Sequence, residues 1–410
     1  MDNTLKKIYD NILIKKENEN NFRLKIPKNR LDNVVIYYKT KEDYIQDCNN
    51  LFQKIVPKKE RIKRTISEKT LNDVLENYIY FKLLKERKID QKNLSLTKEQ
   101  ISIFLKKLKK CENNFKNYVL EIYPLKEFAV FNRMYNIKLD RKEELGIYTL
   151  YKYHEDKNDI KLYLEHLEKY HQIPSEVIIK TVVQARDFNS AKDLARQKNE
   201  ELIDIINFDR KSYISIEEDY NSTGAYTTTS SNNGIMDYIQ EEFPNPLDYD
   251  DLKKSYIYYK LFPLTQKEKL NFLENKIMIS LHWYREFLHE KNDMNCLLKG
   301  VISLENLIST KKLTEKNGIQ DYILKIVKVI LKKDDDKKFT KILKDLYDKR
   351  SKIVHEGIAE VNFFDKFFLR NLIEEVIEEL ISNSEYKNLR TKNEYEEFFY
   401  KITEDNLEKN

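Results

Sequence analysis

Glycine, proline, cysteine and tryptophan are all scarce in this sequence of 410 residues, with 6, 7, 3 and 1 copies respectively. Six glycines leave little from which to build a phosphate-cradling loop, and neither G-x-x-x-x-G-K-[ST] nor G-x-G-x-x-G occurs. P-loop nucleotide hydrolysis is thereby excluded. Cys48, Cys111 and Cys296 stand far apart without C-x-x-C spacing, which argues against a disulfide framework and a Cys-rich zinc site. H-E-x-x-H and G-x-S-x-G are missing too, so no metal and no other cofactor is expected. No stretch approaches the roughly 18–20 apolar residues of a membrane span. Met1–Asn20 holds no apolar segment long enough for a signal peptide. A soluble cytoplasmic protein with no membrane partner is expected.

What is present is enough for a core: 40% of residues are hydrophobic, 12% aromatic and 35% charged, with a formal charge of only +5. That balance excludes wholesale disorder, and the length suits about two or three domains. The 28 tyrosines and abundant Lys, Asn and Ile are what an AT-rich coding sequence writes by default, so the placing of lysines says more than their number. Met1–Leu120 carries 28 Lys+Arg against 16 Asp+Glu, a net of +12, which leaves −7 for the remaining 290 residues. Any surface that attracts RNA electrostatically is therefore expected in the N-terminal part.

Residues 1–220 alternate between strand-like and helix-like stretches. Strands are expected at Asn33–Lys39, Tyr118–Tyr123, Ala129–Tyr135, Ile147–Tyr153, Val177–Ala185 and Ser212–Ile216. Helices are expected at Lys41–Ile55, Leu71–Arg87, Ile101–Leu108, Asp159–Tyr170 and Asn189–Ile206. Asn221–Gly234 is poor in apolar residues and rich in Ser, Thr, Asn and Gly, the composition of a linker. The expected fold class is α+β: a mixed α/β domain over 1–220, a loop or linker over 221–262, an all-α bundle over 263–385 and a helical tail over 386–410.

The C-terminal part has no proline after Pro263. Lys267–Glu290 sets Leu270, Leu273, Ile277, Leu281, Tyr284 and Leu288 on one face. Met294–Ile308 and Ile319–Leu331 give two further helices. A fourth starts behind the acids Asp334–Asp336, carries Phe339, Ile342, Leu343, Leu346, Ile353 and Val354, and stops at Glu356 before Gly357. A fifth spans Phe363–Ile381 on Phe364, Phe368, Leu372, Val376 and Leu380. Five amphipathic helices with short connections make an antiparallel bundle.

Arg350 interrupts the stripe of the fourth helix between Leu346 and Ile353. A guanidinium there needs a carboxylate, a phosphate or a wet cleft. His355 follows in the last turn, where the helix dipole favours a positive imidazole. A cation for a phosphate and an imidazole for proton transfer are what metal-free RNA cleavage uses: the 2′-OH attacks phosphorus while charge builds on the phosphate oxygens. The spacing is common, with about 0.6 such pairs expected by chance. Five residues on an ideal helix also separate two side chains by about 140°, so a second copy would be needed to close both over one phosphate.

The surrounding residues add more. Leu346-Tyr-Asp-Lys-Arg-Ser-Lys-Ile-Val-His-Glu-Gly357 closely resembles the signature of HEPN domains of the Apea-like group. Ser280-Leu-His-Trp-Tyr284 and Leu304-Glu-Asn-Leu-Ile308 match the aromatic pair and the Leu-Glu motif of those families in order and spacing. The resemblance covers Lys267–Ile381 and extends weakly to Thr181-Val-Val-Gln-Ala-Arg-Asp187. It implies an R-x(4–6)-H ribonuclease site formed where two bundles pair, cleavage without metal to a 2′,3′-cyclic phosphate, and bacterial defence against phage by abortive infection. On that carry-over Arg350 binds the phosphate, His355 is the general acid/base, and the chain is a homodimer through its C-terminal bundle. Ser351 stands where many active members have Asn, Asp or His, and Apea-like members commonly carry Ser. A non-catalytic HEPN module that binds nucleic acid, or one that dimerises as an adaptor, is the alternative.

Glu305, the lone acid within a mostly apolar helix, either orients Arg350 or faces solvent. His282 and His289 share a face but lack the further ligands a metal needs, and Trp283 and Tyr284 read as core anchors. Lys54–Arg64 holds six basic residues in eleven. Within it Lys58, Lys59, Arg61, Lys63 and Arg64 are the candidates for RNA contact, and Lys106–Lys110 reads as a solvated helix face.

Overall fold

The structure is a computed structural model. It describes residues 3–13, 19–23, 37–55, 65–86, 97–99, 115–135, 137–152, 177–210, 215–217, 247–314, 318–333 and 336–405, with single residues at 102, 103, 106, 109 and 161. The backbone forms two compact units: Met1–Val130 with Val182–Ala195, and Phe131–Thr181 with Arg196–Asn410.

In the first unit, α1 (Asn3–Asp10), β1 (Ile12–Leu13), β2 (Phe22–Arg23) and β3 (Tyr37–Tyr38) precede α2 (Lys41–Ile55), α3 (Glu68–Lys85) and α4 (Phe115–Ile122). The three short strands form an antiparallel sheet in the order β1-β3-β2. Leu5, Ile8, Leu51, Leu75, Tyr78 and Tyr118 share one core. A buried carboxylate holds it together at one side: Asp47 accepts from the Tyr38 hydroxyl at 2.8 Å and from Lys7 Nζ at 2.7 Å. Tyr118–Tyr123 is helical where the residue types suggest a strand. Phe115, Tyr118 and Val119, spaced at i, i+3 and i+4, all point into the core, and helical period overrides β-branched composition.

The five-stranded sheet has the order β6-β7-β8-β4-β9, built from β4 (Lys126–Tyr135), β6 (Glu143–Leu145), β7 (Tyr148–Lys152), β8 (Val177–Ala185) and β9 (Ser215–Glu217). Short β5 (Ile137–Lys138) pairs in parallel with β10 (Leu247–Asp248). In the second unit Leu150 of β7 faces Ile179 of β8, and Met134 of β4 faces Ile216 of β9, both antiparallel. Helix α5 (Phe188–Arg210) covers this sheet through Leu202, Ile205 and Ile206, which share a core with Tyr148, Leu150 and Ile179. Two helices follow, α6 (Tyr249–Lys253) and α7 (Tyr256–Thr265). The same core continues into the C-terminal helices.

Those helices are α8 (Phe272–His289), α9 (Asp293–Ile308), α10 (Lys311–Thr314), α11 (Ile319–Ile330), α12 (Lys337–Glu356), α13 (Phe363–Ser382) and α14 (Lys392–Asp405). Their ends follow from side-chain chemistry. A capping box, Asn271 with Glu274, starts α8, and a second, Asn362 with Asp365, starts α13. Asp336 caps α12, which ends where Gly357 takes the left-handed conformation at φ 74° and returns its N–H to Ile353. Small residues let α8 and α9 approach: the hydroxyls of Ser280 and Ser303 lie 2.8 Å apart, and each also donates to the other's backbone oxygen. Gly300 does the same toward α13, since a Cβ there would lie 2.6 Å from Leu369 Cδ2. Helix α14 is part of the core, with Tyr395 and Phe399 fully buried.

The protein is thus α+β, with strands in its N-terminal region and a helical C-terminal region. Two apolar-stripe expectations need correction. Val354 is 51% exposed and Phe364 77% exposed; Val354 lies in the last turn of α12 and Phe364 in the first turn of α13, where the stripe runs past the core. The Asn221–Gly234 linker, most of the Asn33–Lys39 strand, the Asp159–Tyr170 helix but for one residue, and the Lys58–Arg64 cluster lie outside the described residues. Among the described residues no helix is long and apolar enough to cross a membrane.

Candidate functional site

Helices α9 and α12 pack together, and that contact places the side chains around Arg350. Leu346 and Ile353 hold α12 to the core at 1% and 9% exposure, so Arg350 between them is drawn half inside, its side chain 29% exposed. Its Nη2 lies 3.7 Å from Oε2 of Glu305, whose side chain is 14% exposed. This is an ion pair at a separation too long for a hydrogen bond. Glu305 therefore faces Arg350 across the bundle and not solvent.

The pair has an unusual surround. Among the described residues, Oε1 of Glu305 is buried with no hydrogen-bond partner, and so is the hydroxyl of Tyr347, one turn before Arg350 on α12. Burial pushes the Glu305 carboxyl above its ordinary range, and Arg350 opposes that. Burial also pushes the Tyr347 phenol well up, and Glu305 adds to it while Arg350 works against it. The three side chains act on one another at one point inside the bundle. Tyr347 was not singled out by the sequence, where it reads as one more aromatic on an apolar stripe. The signal available was its hydroxyl, which an apolar stripe cannot satisfy.

His355 is brought to a different place. It is exposed in the last turn of α12, as is Ser351, and it makes no hydrogen bond or ion pair among the described residues. The structure brings Arg350 and Glu305 together and leaves His355 facing solvent on another side of the helix. Around that end lies an exposed apolar cluster: Val354, Ile358 at 72%, Phe363 at 68%, Phe364 and Phe367. The rings of Phe363 and Phe367 stack with centroids 5.9 Å apart. Lys349 ties α12 to the first turn of α13 through Asp365 at 2.6 Å, so the phenylalanines stay beside the Arg350–His355 segment.

The other candidates fall elsewhere. His282 contacts Asp204 of α5 at 3.5 Å, Tyr284 is fully buried, and Trp283 is half-buried. Lys106 and Lys109 are exposed. Lys58, Lys59, Arg61, Lys63 and Arg64 lie outside the described residues. No three His, Cys, Asp or Glu side chains gather to hold a metal ion among the described residues. No protein-family model, no curated protein and no solved structure matches the chain.

Proposed function

We propose that the chain is a metal-independent endoribonuclease of the HEPN type, acting as a homodimer through its C-terminal bundle, with a role in defence against phage. The observation that carries this reading is Arg350 itself. A guanidinium with five donors sits in a core stripe, and the contact that draws it inward is one carboxylate oxygen at 3.7 Å. Donors left over at a half-exposed site suit a phosphate.

In this reading Arg350 neutralises the non-bridging oxygens of the scissile phosphate. His355, open to solvent, removes the proton of the 2′-OH as that oxygen attacks phosphorus, or protonates the departing 5′-oxygen. The products are a 2′,3′-cyclic phosphate and a 5′-hydroxyl. Because the two side chains diverge on α12, Arg350 of one copy works with His355 of the other. The apolar cluster of Val354, Ile358, Phe363, Phe364 and Phe367 supports a second copy there, since an exposed contiguous apolar patch marks an interaction surface. The same cluster is what a purely dimerising adaptor would carry, and cleavage separates the two.

The test is an end-group analysis of RNA incubated with the protein in EDTA. Cyclic phosphate ends are expected, and an Arg350→Ala/His355→Ala variant is expected to produce none. Equal cleavage by that variant would sink the proposal. RNA binding without cleavage by the wild type would favour the non-catalytic module.

A further inference from the structure

Glu305 Oε1 and the Tyr347 hydroxyl are both buried without a hydrogen-bond partner among the described residues, and both groups feel one loosely held cation, Arg350. Native proteins rarely leave such atoms unsatisfied, and each one calls for an explanation. Neither has one in packing terms. Tyr347 is 3% exposed and could have been phenylalanine; Glu305 is the one charged residue in the second half of a mostly apolar helix and could have been leucine. What the two share is Arg350.

We infer that Glu305 holds Arg350 in a resting position, and that Tyr347 is the donor that takes over the carboxylate when the guanidinium moves out to an RNA phosphate. The inference rests on Arg350 being the phosphate-binding residue. Glu305 and Tyr347 are positioning residues that act through Arg350.

Exchange is favoured by the geometry. At 3.7 Å the pair lacks the hydrogen bonds that make a buried ion pair strong, so phosphate competes for the guanidinium against a weak hold. A carboxylate left alone in the interior is costly, and the Tyr347 O–H, buried without a hydrogen-bond partner among the described residues and acted on by Glu305, is the donor free to answer it. Where it falls short, Glu305 takes up a proton, the response of a buried acid that loses its cation. Helices α8, α11, α12 and α13 pack on α9. Of their charges, Arg350 of α12 acts on Glu305, and Glu305 and Arg350 both act on the Tyr347 phenol. Lys276 of α8 spends its ammonium on the carbonyl oxygens of Asn306 and Ser309. Among the described residues no charge from α11 or α13 acts on Glu305.

Proton uptake on binding gives a sign: affinity for RNA rises as pH falls. The experiment uses the full chain in a His355→Ala background, which prevents cleavage and removes the titration of that imidazole. Affinity for a single-stranded RNA oligonucleotide is measured from pH 5.5 to 8.5 at fixed salt (about 0.1 M). With Glu305→Gln added, binding should tighten about fivefold at the alkaline end and lose most of its pH dependence. With Tyr347→Phe added, binding should weaken and the pH dependence should steepen. Weakening by Glu305→Gln to the level of Arg350→Ala would overturn the inference, because Glu305 would then aim Arg350 at the phosphate. No change in either variant would overturn it too.

Thermal unfolding of the same variants supplies a readout that needs no RNA. A weak hold predicts that Glu305→Gln is at least as stable as its parent at pH 8, with the difference closing as the pH falls. A large loss of Tm at pH 8 would show a structural ion pair and end the inference. Absence of any RNA binding by the parent at low salt would sink the ribonuclease reading, and the unfolding data would still judge the hold on Arg350.

Discussion

Arg285 of α8 places its Nε 3.0 Å from Oδ1 of Asp204 on α5, with the two side chains 13% and 4% exposed. This contact joins the second half of α5 to the bundle, beside Phe208, whose ring meets that of Tyr284 edge-on at 5.1 Å. Removing the cation leaves a buried carboxylate. Arg285→Ala should therefore cost about 3 kcal/mol in urea unfolding, and Asp204→Asn in the same chain should recover most of it. Equal losses in the single and double variants would mean that packing by the arginine stem, and not charge, is what matters.

His282 meets the other oxygen of Asp204 at 3.5 Å. Its pKa is raised, chiefly by hydrogen bonding to Asp204, with burial acting against it. A histidine whose folded pKa exceeds its unfolded value stabilises fully below the unfolded value, near 6.5, and that contribution is lost as pH rises through the folded value. The stability of the wild type should decline across this window relative to His282→Gln. Parallel pH profiles for the two proteins would refute it.

Lys276 has the opposite sign. Its ammonium caps α9 through the oxygens of Asn306 at 2.7 Å and Ser309 at 2.6 Å, between the rings of Phe272 and Tyr395. Burial depresses its pKa to about 8, with Glu396 opposing. Between about 8 and the ordinary lysine value of 10.5 the unfolded chain binds more protons than the folded one, so stability should rise with pH there. Lys276→Met should remove that rise. Unfolding in urea at a series of alkaline pH values measures it directly.

Gly300 and Gly357 should respond differently to alanine. A Cβ at Gly300 would meet Leu369 and Phe287 at 2.6 and 2.9 Å, side chains that are themselves buried. The overpacking outweighs the gain in helix propensity, for a net loss of about 1–2 kcal/mol. Leu369→Ala should partly rescue Gly300→Ala. A Cβ at Gly357 would meet nothing within 4 Å among the described residues, and the cost is backbone strain alone, about 1 kcal/mol. No change near Leu369 should rescue it. A rescue at both sites would show that the close approach of α9 and α13 is not what Gly300 serves.

These cases show which parts of the fold can be read along the chain. Gly357, Asn271 and Asn362 act on their own turn, so helix ends are legible to within a few residues. Val177–Ala185 is a strand at both expected bounds, because its β-branched run is bounded and short. Tyr118–Tyr123 misleads, since a window opening at Tyr118 omits Phe115 and hides the helical period. Arg350 is conspicuous as a charge in a stripe. Glu305 as its partner is one of two readings the sequence leaves open, and Tyr347 is hidden, because the group forms only where α9 crosses α12, 42 positions apart between Glu305 and Tyr347. The exposure of Phe364 is equally hidden, since a stripe shows what can be buried and not what its neighbours cover.

That exposure leads to the test of the composite site. Phe363, Phe364 and Phe367 are all more than half exposed, so Phe364→Asp/Phe367→Asp should change the stability of the fold by only about 0.5 kcal/mol. If a second copy covers them, the same variant should run as a monomer in light scattering and lose RNA cleavage. Arg350→Ala and His355→Ala should each be inactive alone. Mixed and allowed to exchange, they should regain activity, because a heterodimer joins the intact Arg350 of one copy to the intact His355 of the other. Random pairing makes half of the dimers mixed, each with one complete site of two. Recovery should therefore approach about a quarter of the wild-type rate, and the aspartate variant should abolish it. No recovery from a demonstrated heterodimer would mean that each copy must supply both residues, against the divergence of Arg350 and His355 on α12.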